Sequence, residues 1–167
     1  FRHSPGEGPG YFATFLDRHS LPWRLFKVDE GDLPPTMPDE FSGLCFMGGP
    51  MSVNDDLPWI PSTLALIRAA DAAGIPVIGH CLGGQLMAKA LGGSVGRNPV
   101  KELGWGRVDP VIDSQWLDGI APFDAFHWHG ETFTIPPGAT RILGNAHCAN
   151  QAFVRGPHLA MQCHVEM

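Results

Sequence analysis

One stretch constrains the fold of this 167-residue chain more than any other. Residues 75–79 (Ile-Pro-Val-Ile-Gly) read as a short apolar strand, with Pro76 at its start where a ladder donor can be spared. The strand runs without a spacer into Gly79-His80-Cys81-Leu82-Gly83-Gly84-Gln85. A helical pattern follows over residues 82–91, pairing Leu86 with Ala90 and Met87 with Leu91, and Gly92-Gly93 ends it. Upstream, residues 41–47 read as a buried strand running into Gly48-Gly49-Pro50. Residues 62–73 read as a helix with Leu64, Ile67 and Ala70 on one side, Pro61 tolerated in its first turn and Gly74 as its stop. Strand–helix–strand–helix order implies parallel strands joined by right-handed crossovers, with their C-terminal ends at one edge. Open α/β sheets bind ligands at that edge. The expected fold class is therefore α/β: an open, mostly parallel central sheet with helices on both faces.

The flanks are less regular. Residues 1–10 form a Gly/Pro/His loop, 11–18 a short helix, and 21–28 a strand closed by the acidic turn Asp29-Glu30-Gly31-Asp32. From about residue 94 the pattern predicts shorter strands, over 106–111, 132–135, 141–145, 151–154 and 159–164, with some antiparallel pairing. The length suits a single domain spanning 1–167. Because the chain opens on Phe1 and stops just past a polar cluster at Met167, both ends read as trimmed. With 44% hydrophobic and only 17% charged residues, the chain has the apolar mass to collapse. Net charge is −6 without a Lys/Arg cluster, which predicts no nucleic-acid partner. No apolar run is long enough to span a bilayer, and no signal peptide is visible. Cys45, Cys81, Cys148 and Cys163 show no framework spacing and no C-x-x-C. They read as reduced thiols of a cytoplasmic protein.

Three segments carry candidate chemistry. The order apolar strand, G-x-C-x-G, helix is the layout of a nucleophile elbow with cysteine in the nucleophile's position. Bulky neighbours two residues away would clash in so sharp a turn, and Gly79 and Gly83 relieve that. A helix N-terminus favours thiolate, drawing a cysteine below its free pKa of ~8.5. The alternative is a buried cysteine in an ordinary glycine-rich turn. Near the C-terminus, His164 and Glu166 are two apart and would project together from a strand. There the carboxylate could orient the ring, or both could simply face solvent. Gly48-Gly49 could let backbone N–H groups approach a ligand or be a plain turn.

Taken in order, LCFMGGPMS (44–52), GHCLGGQ (79–85) and QCHVE (162–166) resemble the class I glutamine amidotransferases of Cys-His-Glu type. The similarity is strongest to the stand-alone, GMP-synthase-like subgroup. KELGW (101–105), FHWHGETF (126–133) and CANQAF (148–153) extend the likeness over nearly the whole chain. The resemblance implies a flavodoxin-like amidotransferase domain that acts on L-glutamine without a metal or organic cofactor. Carried over residue by residue, it implies Cys81 as nucleophile, His164 as general base and acid, and Glu166 as the carboxylate orienting it. It implies backbone N–H groups of Gly49 and Leu82 as the oxyanion hole, and Gln85, His129, Gly130 and Glu131 as substrate contacts. The ammonia acceptor would be a separate synthetase subunit or domain.

Two departures stand out. Val165 replaces the family's proline, and no acceptor-handling domain is visible. A γ-glutamyl hydrolase on the same fold, or a non-catalytic subunit of the same shape, are the rival readings. The pairs His127/His129, His147-Cys148 and Cys163-His164 match no standard zinc spacing, so no metal site is expected. His3, His19 and His158 read as surface residues, and Trp23, Trp59, Trp105 and Trp116 as core or rim packing. Glu102 and Trp105 fit the subgroup's pattern without a role that the sequence reveals.

Overall fold

The computed structural model describes residues 1–167. Its elements are α1 (Gly10–Arg18), β1 (Leu44–Phe46), α2 (Trp59–Ala73), β2 (Val77–His80), α3 (Leu82–Ala90), β3 (Val95–Pro110), β4 (Phe123–Phe133), β5 (Thr140–Gly144), β6 (Ala152–Arg155) and β7 (His158–Met161). All seven strands belong to one sheet, in the order β1-β2-β7-β6-β5-β3-β4. This is the open α/β fold that the sequence predicts. β1, β2 and β7 run parallel, and the antiparallel pairing expected in the second half follows from β7 to β4.

Helices lie on both faces. Leu44, Phe46, Val77 and Ala160 point toward α2 and α3 and share one core with Leu66, Ile67, Leu86 and Met87. Cys45, Ile78 and Leu159, their neighbours in the pleat, face a groove walled by Phe12 and Leu16 of α1. α2 begins three residues earlier than the apolar pattern suggests and takes Pro61 into its first turn. Its buried face is Ile60, Thr63, Leu66, Ile67 and Ala70, with Leu64 half-buried. Gly74 ends it in the left-handed region, φ 68°.

α3 is wedged between the sheet and α2, with nearly every residue buried. This explains its small N-terminal side chains. A Cβ on Gly83 would strike the Phe46 carbonyl, and one on Gly84 the Met161 carbonyl. The helix thus lies directly on the ends of β1 and β7.

Two expectations need correction. Residues 21–28 form no strand: Lys27 makes one isolated bridge to Arg2, and Val28–Glu30 turns as a 3₁₀ helix. Only the brief segment around Arg2 offers this stretch a partner, so no ladder extends along it. The strand placed at 106–111 is instead sixteen residues long and pairs with an eleven-residue β4. The long hairpin has a register shift between Arg97 and Glu102, and Pro110 carries it onto β5. Extended β3 runs through Gly96, Gly104 and Gly106, which masked its strand pattern.

The close seating of α3 has a measurable consequence. Gly83→Ala should destabilise the fold by about 1–3 kcal/mol or more through overpacking. Gly96→Ala has open space around it and should stay within about 0.5 kcal/mol of the parent in denaturant unfolding.

Candidate active site

Register brings the site together. Phe46, Gly79 and Ala160 are neighbours across the three parallel strands. The chain therefore leaves β1, β2 and β7 at one edge, delivering Gly48-Gly49, Cys81 and residues 162–166 to a common rim.

Cys81 sits between β2 and α3 with φ 50° and ψ −107°, a conformation that L side chains rarely adopt. Its N–H donates to the Met161 carbonyl at 2.8 Å, fixing the turn to β7. A Cβ on Gly79 would lie 2.5 Å from the Gly83 carbonyl carbon. Glycine is thus required where the elbow folds back on itself, as the spacing predicts. The thiol is buried. It is 3.9 Å from the Trp128 carbonyl, and the Gln162 amide donates to its sulfur at 3.7 Å.

His164 and Glu166 lie beyond the end of β7, where Phe126 bridges to His164. The contact expected from their spacing is made in this irregular segment: His164 Nδ1 donates to Glu166 Oε1 at 2.7 Å. Both residues are buried, and Val165 between them points to solvent, 45% exposed. The proline departure therefore leaves the His–Glu contact intact. Burial opposes charge on His164, but its interactions with the Cys81 and Glu166 side chains prevail and raise its pKa to about 10. Burial likewise works against the Glu166 carboxylate, yet His164 holds its pKa below the usual value, and His80 adds to that pull. His80 Nε2 lies 3.8 Å from Glu166 Oε2.

A cleft of about 380 Å³ opens over the sulfur, lined among others by Cys81, Gly49, Gln85, His129, Gly130 and Glu131. All the expected substrate contacts thus border one cavity, within the range of small-ligand sites. Gly49 abuts α3: a Cβ there would come 2.8 Å from Leu82 Cδ2. Gln85 is already engaged, donating to Gln162 Oε1 at 3.1 Å and to the Glu131 carbonyl at 3.3 Å.

Several residues at the site escape sequence reasoning. Glu7 also lines the cleft, and partial burial raises its carboxyl pKa against the opposing pull of His164. Gln162 donates to the sulfur, and a Glu102 carboxylate oxygen lies 3.0 Å from His129 Nε2. His3 and His158 are buried, contrary to expectation. His3 bonds to the Met47 carbonyl and ties the N-terminal loop to the core, while His158 joins β7 to α2 through Asp71. Glu102, His127 and His129 also bring potential metal-ligand atoms within 4.8 Å of one another. The Glu102 oxygens, however, already accept the Asn145 and Gln151 amides, at 2.7 Å each.

The comparisons agree with this geometry. The family described as glutamine amidotransferase class-I matches residues 21–167. The glutamine amidotransferase-like protein YfeJ of Salmonella typhimurium is 29% identical, over 98% of this chain and 73% of that protein. A glutamine-hydrolyzing GMP synthase subunit of Ignicoccus hospitalis is 32% identical, over 81% of this chain and 72% of its own length. A crystal structure of glutamine amido transferase from Methylobacillus flagellatus superposes with a TM-score of 0.96 at 50% identity, covering 99% of this chain and 68% of that one. Of longer relatives described as glutamine-hydrolyzing GMP synthases, the chain spans 20–23%. The chain belongs to the class I glutamine amidotransferase family.

The raised His164 pKa fixes the sign of a pH effect. Between about 6.5 and about 10 the folded protein holds a proton on His164 that the unfolded chain has lost. His164 therefore contributes stability that is full below 6.5 and lost as pH rises through 10. Thermal unfolding should show the parent's advantage over His164→Ala shrinking steadily from pH 6.5 to pH 10.

Proposed function

We propose that this chain hydrolyses the side-chain amide of L-glutamine, with Cys81 as nucleophile, His164 as proton relay and Glu166 as its orienting carboxylate. The observation that carries this reading is the 2.7 Å His164–Glu166 hydrogen bond beside the strained elbow of Cys81, which itself lines a small-molecule cleft. The Cys81 thiolate attacks the carboxamide carbon, forming a C–S bond. Backbone N–H groups of Gly49 and Leu82 receive the charge on oxygen, where losing one such donor typically costs ~10²–10³ in rate. His164 gives its proton to the departing nitrogen as the C–N bond breaks, leaving a γ-glutamyl thioester and ammonia. A water then loses its proton to His164 and attacks the thioester. Glutamate leaves, and the C–S electron pair returns to sulfur. The half-reaction balances without a metal or organic cofactor.

Gln85, His129, Gly130 and Glu131 serve as the substrate-facing wall. For Gln85 the role is that of a strut whose amide braces Gln162 and the Glu131 carbonyl. A thiolate nucleophile suits a reducing compartment such as the cytoplasm, and all four cysteines are free. No helix is long and apolar enough to cross a membrane. The ammonia acceptor is a separate synthetase domain or subunit. Two features support that assignment: one relative is itself described as a synthase subunit, and Leu103 and Trp128 are exposed at the cleft. An apolar patch of this kind marks an interaction surface.

Cys81→Ala should lower glutamine hydrolysis by at least about 10³-fold, the scale lost when a nucleophile acting within a unit is removed. Its unfolding midpoint should remain near the parent's. Full activity in that variant would eliminate the mechanism. Faster release of glutamate from a γ-glutamyl dipeptide than from glutamine would move the assignment to a γ-glutamyl hydrolase.

A further inference from the structure

Glu102 is distant in sequence from every segment of the elbow, yet it is buried behind the cleft with three partners. Its Oε1 accepts the Asn145 amide at 2.7 Å, and its Oε2 accepts the Gln151 amide at 2.7 Å. Oε2 also meets His129 Nε2 at 3.0 Å. The other ring nitrogen, Nδ1, donates to the Glu131 carbonyl at 2.9 Å, so the Nε2–Oε2 approach is attractive only with a second proton held between those two atoms. That same carbonyl accepts the Gln85 amide. One carboxylate thus spans β3, β4 and the loop entering β6. Through His129 it grips the segment whose residues His129, Gly130 and Glu131 border the cleft over Cys81.

A second path starts from the same carboxylate. Fully buried Gln151, held by Glu102, accepts the Gln162 backbone N–H at 2.7 Å through its main-chain carbonyl. Gln162 in turn faces the Cys81 sulfur. The β3–β4 register shifts between Arg97 and Glu102, and the ladder then sets Glu102 directly opposite His129. The shift decides which β3 side chain reaches His129, and removing the carboxylate would leave the buried Gln151 amide without its acceptor.

We propose that Glu102 is a positioning residue for the substrate wall. It locks His129, and with it segment 128–131, in the geometry that receives glutamine, without itself touching the reacting atoms. The proposal rests on the glutaminase reading for its link to substrate. Its structural part, the grip on segment 128–131, stands independently of turnover.

The test uses Glu102→Ala and Glu102→Gln in the whole chain. Glutamine kinetics are read beside amide hydrogen exchange of residues 128–131 and the rate at which iodoacetamide alkylates Cys81. Glu102→Ala should raise KM roughly ten- to hundredfold with a smaller fall in kcat, the scale expected when a mutation remote from the chemistry misplaces a binding group. Exchange at 128–131 should accelerate more than in β2 and β7, while alkylation stays near the parental rate because β2 and α3 set the elbow. Glu102→Gln, which keeps the shape and part of the hydrogen bonding, should fall between the parent and the alanine variant. It also stays informative if Glu102→Ala does not fold. Parental KM and parental exchange in a folded variant would overturn the proposal. So would a uniform loss in which exchange, alkylation and kcat all follow global stability. If the parent itself hydrolyses no glutamine, the glutaminase reading is what falls, and exchange at 128–131 still decides whether Glu102 holds that segment.

Discussion

The structure depends on one unfavourable backbone conformation. Cys81 occupies a left-handed φ of 50° that costs of order 1–3 kcal/mol for a residue with a side chain. It persists because everything around it is already fixed. β2 is paired on both sides, Cys81 N–H is held by Met161, and α3 starts on the next residue. The glycines at 79, 83 and 84 let three backbones approach more closely than any Cβ would allow. Relaxing the turn would mean separating α3 from two strands, which the shared core of β1, β2, α2 and α3 resists.

Around that point the rim of the sheet changes character from apolar to polar. His164, Glu166, His80, Gln85, Gln162, Gln151, Glu102 and His129 are all buried. Burying polar groups is costly unless they are hydrogen-bonded, and the bonds among Glu102, Asn145, Gln151, Gln162 and Gln85 join several segments into one network. Here the polar layer does two things. At His164 and Glu166 it retains a charge that burial alone would remove. Behind the cleft it fixes loops that have no regular ladder of their own. The apolar core gives the fold its stability, and the polar layer above it sets the shape of the cavity.

Much of this was readable from the residues. The elbow was legible because strand, glycines, cysteine and helix are contiguous, so local chemistry and tertiary placement coincide. For His164 and Glu166 the spacing leaves contact and solvent exposure both open, and only the family resemblance singles the pair out; the contact forms in a bridge beyond β7, not in a strand. The rest depends on pairings across the chain. Glu102 and Gln151 are partners from distant segments, and no local signal joins them. Glu7 lies in a glycine- and proline-rich loop whose course is set by what it packs against. Residues 21–28 carry strand propensity but have only the segment around Arg2 to pair with. The long β3 was hidden because its glycines read as turns when their antiparallel partner is unknown.

The register of β2 has a consequence for how the protein comes into being. β2 finds β1 early, but its other neighbour is made some eighty residues later: Ile78 pairs with Leu159. A ribosome that has released residue 91 has already produced the sulfur and its helix, but not the imidazole, the carboxylate or the Met161 carbonyl that holds the elbow. A nascent chain that stops short of residue 161 therefore carries Cys81 without the backbone partner that holds its turn.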